Sequence, residues 1–432
     1  MSKGLYRDLQ YHATRHLYCT VTECRMCKSA KLTEYLDLGF TPPADQFRKP
    51  DERDIPEILY PLRVLLCRAC GLSQLSIVVD PRVLYQYDYP YEQSTTRTGQ
   101  AHWGSFAKAV ASRLGLKPQD LVVDIGSNVG ILLRSFRNLG MRVIGIDPAP
   151  NIVRIANKEY GIPTICDFFH RKSAAEVKRR AGKASVVVGA NVFAHIDDLD
   201  EVIAAAKSLL KDNGVFIFES PYFPHLVDNL EYDTIYHEHL SYLSVSPLIP
   251  FFKKFGMKVF LVEETDIHGG SFRAYAARAG RRPVDPSVNE FLRREKKRRL
   301  HTLKEMRAFS ARVSQNRAAL VSLLEDLLRR GKTIAAVSAS AKGMTLLNYC
   351  GLTNRHVACI SEKARLKIGR LAPGGHGGGH IPVVSDEELV RRRPDYALLL
   401  AWNFSKEITE NLKDYTDQGG KFIIPIPEPR IV

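Results

Sequence analysis

Three groups of residues in this chain combine types and spacings that can do chemistry. Cys24 and Cys27 form one C-x-x-C, and Cys67 and Cys70 form another. Two such pairs offer four thiolates in two tight knuckles, the arrangement that tetrahedral zinc requires. Four thiolates leave no coordination position for water, so this metal would hold a module together and do no chemistry. A second group surrounds a glycine turn. Leu121-Val122-Val123 is short, apolar and β-branched, which predicts a buried strand, and it runs through Asp124 into Gly126-Ser127-Asn128-Val129-Gly130. Glycines in a strand-to-helix turn let backbone amides approach a ligand. A further strand, Arg142 to Ile146, ends in Asp147, roughly 20 residues on, where an acid in a Rossmann-like unit takes a ribose diol. The third group is the run Tyr232-Asp233-Thr234-Ile235-Tyr236-His237-Glu238-His239-Leu240-Ser241-Tyr242. Its two histidines cannot share a helix face, so it is not the H-E-x-x-H of a metalloprotease and predicts no catalytic metal. Tyr236, Glu238 and His239 instead offer a general base with an acid to orient it and a hydroxyl donor beside it.

The elements that must carry these groups follow from periodicity and punctuation. Ile131, Leu132, Leu133 and Phe136 give the glycine turn a following helix with a core face. A helix over 99–114 leads into this unit. After Asp147 a helix over 151–160 is followed by Ile162 to Ile165 and then Cys166-Asp167-Phe168. Ala184 to Gly189 reads as a buried parallel strand and runs into Ala190-Asn191-Val192-Phe193-Ala194-His195. Ligands of open α/β sheets gather at the carboxyl ends of strands, so Asn191 and His195 fall at the mouth of the same crevice. Gly214 to Glu219 is the next strand, and His268 stands in a glycine-rich strand-edge turn. Upstream, Tyr85, Tyr87, Tyr89 and Tyr91 would place their rings on one side of an extended segment, either lining a pocket or packing in a core. Periodic leucines over 285–330 predict one or two long helices bridging to a second α/β pattern. There a strand over 333–337 meets the small-residue turn Ser338 to Gly343, whose Lys342 suits a phosphate although no P-loop is spelled. Strands over 357–361, 396–401 and 422–426 complete a second parallel sheet.

At 432 residues the chain is long enough for two or three domains of roughly 100 to 200 residues each. Its composition is globular, with 45% hydrophobic and 25% charged residues, and no apolar run is long enough to span a membrane. The N-terminus lacks an apolar signal core, so a soluble, cytoplasmic protein is expected, in which disulfides are the weaker alternative for the cysteines. A net charge of +15 invites nucleic acid, a membrane surface or a phosphorylated substrate. Much of that excess sits in short clusters such as Arg293 to Arg299 and Arg391 to Arg393, which read equally as solvated helix faces.

The spelling of the glycine turn separates two cofactor classes. A dinucleotide fingerprint is G-x-G-x-x-G, whereas D-I-G-S-N-V-G resembles motif I of S-adenosylmethionine-dependent methyltransferases. Over nearly its whole length the chain then resembles the three-domain sugar C-methyltransferases, which methylate a nucleotide-linked 4-keto-6-deoxysugar, typically at C3. The resemblance rests on the paired C-x-x-C, Tyr-x-Tyr before Ser94, D-x-G-S-N-x-G, N-V-F-A-H, Y-D-T-I-Y-H-E-H-L-S-Y, H-G-G-S, A-K-G-x-T-L-L-N-Y and P-D-Y-x-L-L-L-x-W-N, all in one order. It implies an α/β architecture of three units. These are a small zinc-binding domain over 1–98, a Rossmann-like methyltransferase domain over 99–284, and a helical bridge with a second Rossmann-like domain over 285–432. It implies structural zinc on Cys24, Cys27, Cys67 and Cys70. S-adenosylmethionine would lie against the turn (Asp124, Gly126, Asn128, Gly130), Asp147 at the ribose, Asp167 at the adenine, and Asn191. The family's general base matches His239, with Tyr236 and Glu238 beside it and His195 and Tyr89 or Tyr91 facing the sugar. Lys342 and His268 would serve the nucleotide-sugar side. The loop Pro373 to His380 is longer and richer in glycine than the family's P-G-T-H-I-P.

This implied chemistry agrees with the residues. A proton α to a ketone is acidic enough for a positioned histidine, and the positive net charge suits a diphosphate substrate. Two rival readings are an O- or N-methyltransferase on another phosphorylated or small-molecule acceptor, and a zinc-ribbon RNA-binding protein or RNA methyltransferase. No N-P-P-Y-like base pocket and no continuous basic stripe favours the second, so nucleic acid is not the expected partner. No feature specifies an oligomeric state.

Overall fold

The computed structural model describes residues 17–86, 89–91, 97–374 and 379–432. Near the N-terminus the strands Leu32–Thr41, Tyr60–Cys67 and Ser73–Leu75 pair antiparallel. Alternate residues of Tyr60–Cys67 are buried, so one face of the sheet packs into the molecule while its end delivers the second cysteine knuckle. The fourth strand of this sheet is Ser241–Tyr242, the tail of the histidine-bearing segment, paired in the register Ser241 to Gln74 and Tyr242 to Ser73.

The central sheet has seven strands in the order Thr164–Cys166, Arg142–Asp147, Leu121–Ile125, Ala184–Ala190, Leu210–Pro221, Ser271–Arg278 and Met257–Thr265. The first five are parallel, and Ser271–Arg278 runs antiparallel to both neighbours. Strand order reverses between Leu121–Ile125 and Ala184–Ala190, so the glycine turn and the loop after Ala190 open onto one crevice. The strand expected over 162–165 begins at Thr164, because Ile162 turns inward to pack in the core.

The tyrosine-rich stretch is not extended throughout. Asp80 caps the short helix Pro81–Tyr85 by accepting the Arg82 amide, so Tyr85 lies on a helix and only Tyr89 and Tyr91 follow in open chain. Tyr87 and 92–96 lie outside the described residues.

The leucine-periodic region is two helices, Pro286–Arg298 and Leu303–Arg329, and Leu320, Leu324 and Leu327 face inward. Within the basic cluster, Glu295 is buried rather than solvated. It accepts the Tyr222 hydroxyl at 2.9 Å and the Val245 and Ser246 amides at 2.7 and 2.8 Å, closing the first turn of helix Val245–Lys254. Beyond the helices a second sheet runs Val383–Ser385, Ile360–Glu362, Ile334–Val337, Tyr396–Leu399, Lys421–Ile424 and Arg430–Ile431, all parallel except the last. Its order also reverses at Ile334–Val337, so Lys342, which lies in the first turn of helix Ala341–Cys350 rather than in the turn expected before it, sits at a second switch point.

These units share their interior. One apolar cluster joins Leu62 and Leu66 of the first sheet, Tyr232 and Leu240 of the histidine segment, Leu320 of the long helix and Leu398 of the last sheet. No described helix is long and apolar enough to cross a membrane.

Candidate active site

The four expected cysteines converge. Their sulfurs all lie within 4.8 Å of one another, with Cys24 to Cys70 at 3.5 Å and Cys27 to Cys67 at 3.6 Å. Zinc–sulfur bonds of about 2.3 Å in a tetrahedron set sulfurs about 3.8 Å apart, so this cradle fits the ion. No fifth oxygen or nitrogen donor belongs to the cluster among the described residues.

A single cavity of about 850 Å³ collects nearly all the other expected residues. At one end lie Gly126, Asn128, Asp147, Asp167 and Asn191. Asp147 ends its strand with both carboxylate oxygens engaged, one accepting the Asn128 amide and the other the Ala149 amide, each at 2.9 Å. Burial raises its pKa to about 6 against the pull of those two amides. Burial, and then the neighbouring Asp147, push Asp124 well above the usual carboxylate range. Gly126 has φ +63°, and a Cβ there would stand 2.6 Å from Val192, beside Asn191. The Asn191 side-chain oxygen is buried with no partner among the described residues. An orphaned acceptor, a ribose-competent acid and a glycine that leaves no room for a side chain together fit a bound nucleoside with a cationic amino-acid end.

Two residues expected at the cofactor stand outside the lining. Asp124 is enclosed in the sheet, and Gly130 faces Ile162, whose side chain would meet its Cβ at 2.8 Å. Gly130 therefore serves close packing of helix Ile131–Asn138. The backbone beyond the tyrosines is tied to this end: the Tyr91 carbonyl accepts the Asn128 side chain at 3.0 Å and the Tyr89 carbonyl accepts Asn151 at 2.8 Å.

The middle of the cavity holds His195, Tyr236, Glu238 and His239. The rings form a file, Tyr236 to His239 at 3.9 Å and His239 to His195 at 4.7 Å between centroids. The Tyr85 hydroxyl approaches His195 Nδ1 at 3.5 Å, nearer than the expected Tyr89 and Tyr91, whose rings pack edge-on behind it. His239 Nδ1 lies 2.6 Å from the Thr234 carbonyl. A carbonyl only accepts, so Nδ1 carries the hydrogen and Nε2 is the basic nitrogen of the neutral ring. The orienting partner is thus a backbone carbonyl, not Glu238 as the sequence suggested. Both Glu238 carboxylate oxygens are buried and lack a described partner, and burial with nearby Asp45 raises its pKa to about 8. Burial lowers His195 to about 4, keeping it neutral. His237 points the opposite way, into the core against Tyr60.

The far wall comes from the last domain. Lys342 lines the cavity, but its ammonium lies 3.9 Å from Asp233 and 4.6 Å from the centre of the Trp402 ring. Residues unremarkable in the sequence complete this wall. Lys367 donates to Asp45 at 2.9 Å and to the Ala339 carbonyl at 2.8 Å, an ion pair 322 positions apart along the chain. Asn403 Oδ1, a buried acceptor without a partner among the described residues, lines the same cavity. Only tertiary contact reveals these residues, since no local motif marks them. His268 has its backbone in a short turn, Ile267–Gly269, and its side chain lies outside the described residues, as do 375–378 of the glycine-rich loop.

Comparison with known proteins follows the same division. A zinc binding domain model matches 24–85, a methyltransferase domain model 100–262, and a C-methyltransferase C-terminal domain model 266–427. The chain is 38% identical over 413 residues to the C-methyltransferase NovU of Streptomyces niveus, covering 95% of this chain and 97% of that protein. It is 32% identical over 99 residues to a ubiquinone biosynthesis O-methyltransferase of Methylobacterium, covering 22% of this chain and 38% of that enzyme. Among solved structures, the magnesium protoporphyrin IX methyltransferase of Synechocystis with bound S-adenosylmethionine aligns at a TM-score of 0.33 and 17% identity, over 45% of this chain and 88% of that one.

Proposed function

We propose, from the premise that this chain belongs to the C-methyltransferase family, that it methylates the carbon α to the ketone, typically C3, of a nucleotide-linked 4-keto-6-deoxysugar. Membership makes it an S-adenosylmethionine-dependent C-methyltransferase that also carries zinc. The observation that carries the finer reading is His239, locked by the Thr234 carbonyl in the tautomer of a base, in the same cavity as the cofactor turn.

S-adenosylmethionine supplies, when bound, a methyl group that a carbon nucleophile can take. The residues that would hold it are Asp147 at the ribose, Asp167 at the adenine, Asn191 through its unpartnered oxygen, and the Gly126 turn. His239 Nε2 takes the α proton of the sugar, and the Thr234 carbonyl then stabilises the imidazolium through Nδ1. The enolate oxygen receives hydrogen bonds from groups that stay protonated. Burial holds the Tyr236 hydroxyl far above its usual pKa, and His195 is neutral. Glu238, protonated near neutral pH, acts as a donor in this ring rather than as an orienting acid. Lys342 and Lys367 stand on the wall that would face the nucleotide diphosphate, each beside a carboxylate, Asp233 and Asp45. The chain divides functionally near 98 and 284, and the cytoplasm, where nucleotide sugars are made and used, is its place of work.

The test is incubation with a panel of nucleotide 4-keto-6-deoxysugars in heavy water, with and without S-adenosylmethionine, read by mass spectrometry. Deuterium at the α carbon, and a carbon-bound methyl group when cofactor is added, are expected. Methyl transfer to oxygen, or transfer to carbon with no exchange in any sugar, overturns the reading.

A further inference from the structure

Arg25 stands between the zinc-ligating positions Cys24 and Cys27, and its charged end serves residues outside the knuckle. The side chain is 2% exposed, and Nε donates to Asp197 Oδ1 at 2.9 Å. The remaining nitrogens donate to the Leu75 carbonyl at 3.0 Å and the Ile77 carbonyl at 3.5 Å. Asp197 follows His195 by two residues, and the next residue, Asp198, caps helix Leu199–Leu209 by accepting the Glu201 amide at 2.9 Å. The loop holding His195 is therefore pinned on one side by a helix cap and on the other by the knuckle.

A second path leaves the same residue. The Arg25 backbone amide donates to Gln74 Oε1 at 2.9 Å, and Gln74 Nε2 donates back to the Glu23 carbonyl at 3.2 Å. Gln74 is fully buried and pairs in register with Ser241, while the Leu75 amide donates to the Leu240 carbonyl at 3.0 Å, one residue past His239. The paths end on the backbone neighbours of His195 and His239, at Asp197 and at Leu240, and the two rings stand 4.7 Å apart.

We propose that Arg25 is a positioning residue that sets the spacing of His195 and His239, so that the zinc knuckle governs the geometry of proton transfer. This rests on the reading of His239 as the base. Hydrogen bonds that pin the backbone beside both histidines limit how far the two rings can part, and a displacement of about 1 Å at a reacting centre costs about 100-fold in rate.

Arg25→Lys keeps the charge but cannot present a planar fork to the three acceptors of this side chain, Asp197 and the Leu75 and Ile77 carbonyls. Asp197→Ala removes the carboxylate and leaves the 2%-exposed Arg25 guanidinium with its two carbonyl acceptors but no counter-ion, so zinc content reports whether the knuckle survives the change. Each variant and the double variant, as full-length chain, are compared with wild type in zinc content, S-adenosylmethionine affinity, deuterium exchange into the sugar panel, and the ring-nitrogen NMR signals of His195 and His239. Zinc and cofactor binding are expected at wild-type levels, exchange about 10- to 100-fold slower, and the double variant no slower than either single. Both histidine signals are expected to move in each variant. Exchange at the wild-type rate, losses that multiply in the double variant, or ring signals that stay in place overturn the proposal. If wild type exchanges no sugar, the substrate reading falls while the ring signals still decide the role of Arg25.

Discussion

Two groups in the cavity have protonation states set by surroundings rather than by residue type. Thr234 fixes which nitrogen of His239 is basic, so His239→Ala should slow α-proton exchange by about 100- to 10,000-fold, while equilibrium dialysis finds S-adenosylmethionine affinity unchanged. Retained exchange would place the base elsewhere. Glu238 is a case of linkage. Burial, and then Asp45, raise its pKa from 4.5 to about 8, so the folded chain binds this proton more tightly than the unfolded chain. The stabilisation is complete below 4.5 and is lost as pH rises through about 8. A glutamine at 238 has no proton to lose. The melting temperature of Glu238→Gln should therefore decline less than that of wild type across this window, and parallel curves would show that Glu238 is not buried in its neutral form.

At the scale of elements, the cofactor end depends on two turns meeting at one switch point. Gly126 leaves strand Leu121–Ile125 with φ +63°, and its missing side chain is the space that Val192 fills after strand Ala184–Ala190. Gly126→Ala puts a methyl group 2.6 Å from Val192 and strains the backbone, so Val192 and the adjoining Asn191 must shift. A weakening of S-adenosylmethionine binding of about tenfold, with zinc content unchanged, is expected in a titration calorimeter. Unchanged affinity would mean that Asn191 does not contribute. The histidine segment shows a different dependence, since Ser241–Tyr242 is a strand of the first sheet although it lies in the chain between strands of the central one. A residue expected to serve one domain is thereby held by another.

At the scale of the molecule, residues of the first unit, the glycine turn and the last domain line one cavity, and the Asp45–Lys367 pair joins the first unit to the last at its wall. Cys67 belongs to the four-cysteine cluster and ends the strand that aligns Gln74 and Leu75, so Cys67→Ser should lower folded yield and zinc content together. A stable, metal-free and active variant would defeat a structural role for the metal. Much of this organisation was legible in the chain by itself. The paired C-x-x-C motifs, the glycine turn with Asp147, and the strand leading to Asn191 and His195 are signals carried within one or two elements, where spacing dictates geometry. The bridge helices were legible for the same reason, their leucines repeating on one face. What needed the tertiary structure are relations between residues far apart in sequence. The Thr234 carbonyl, and not Glu238, meets His239 Nδ1, and Ile162 rather than the cavity stands against Gly130. Tyr85 turns out to be helical, and Asp45, Lys367 and Arg25 gain meaning only from partners in other units. Periodicity encodes which face of an element is buried, whereas the partner of a buried polar group is chosen by how the elements close around it.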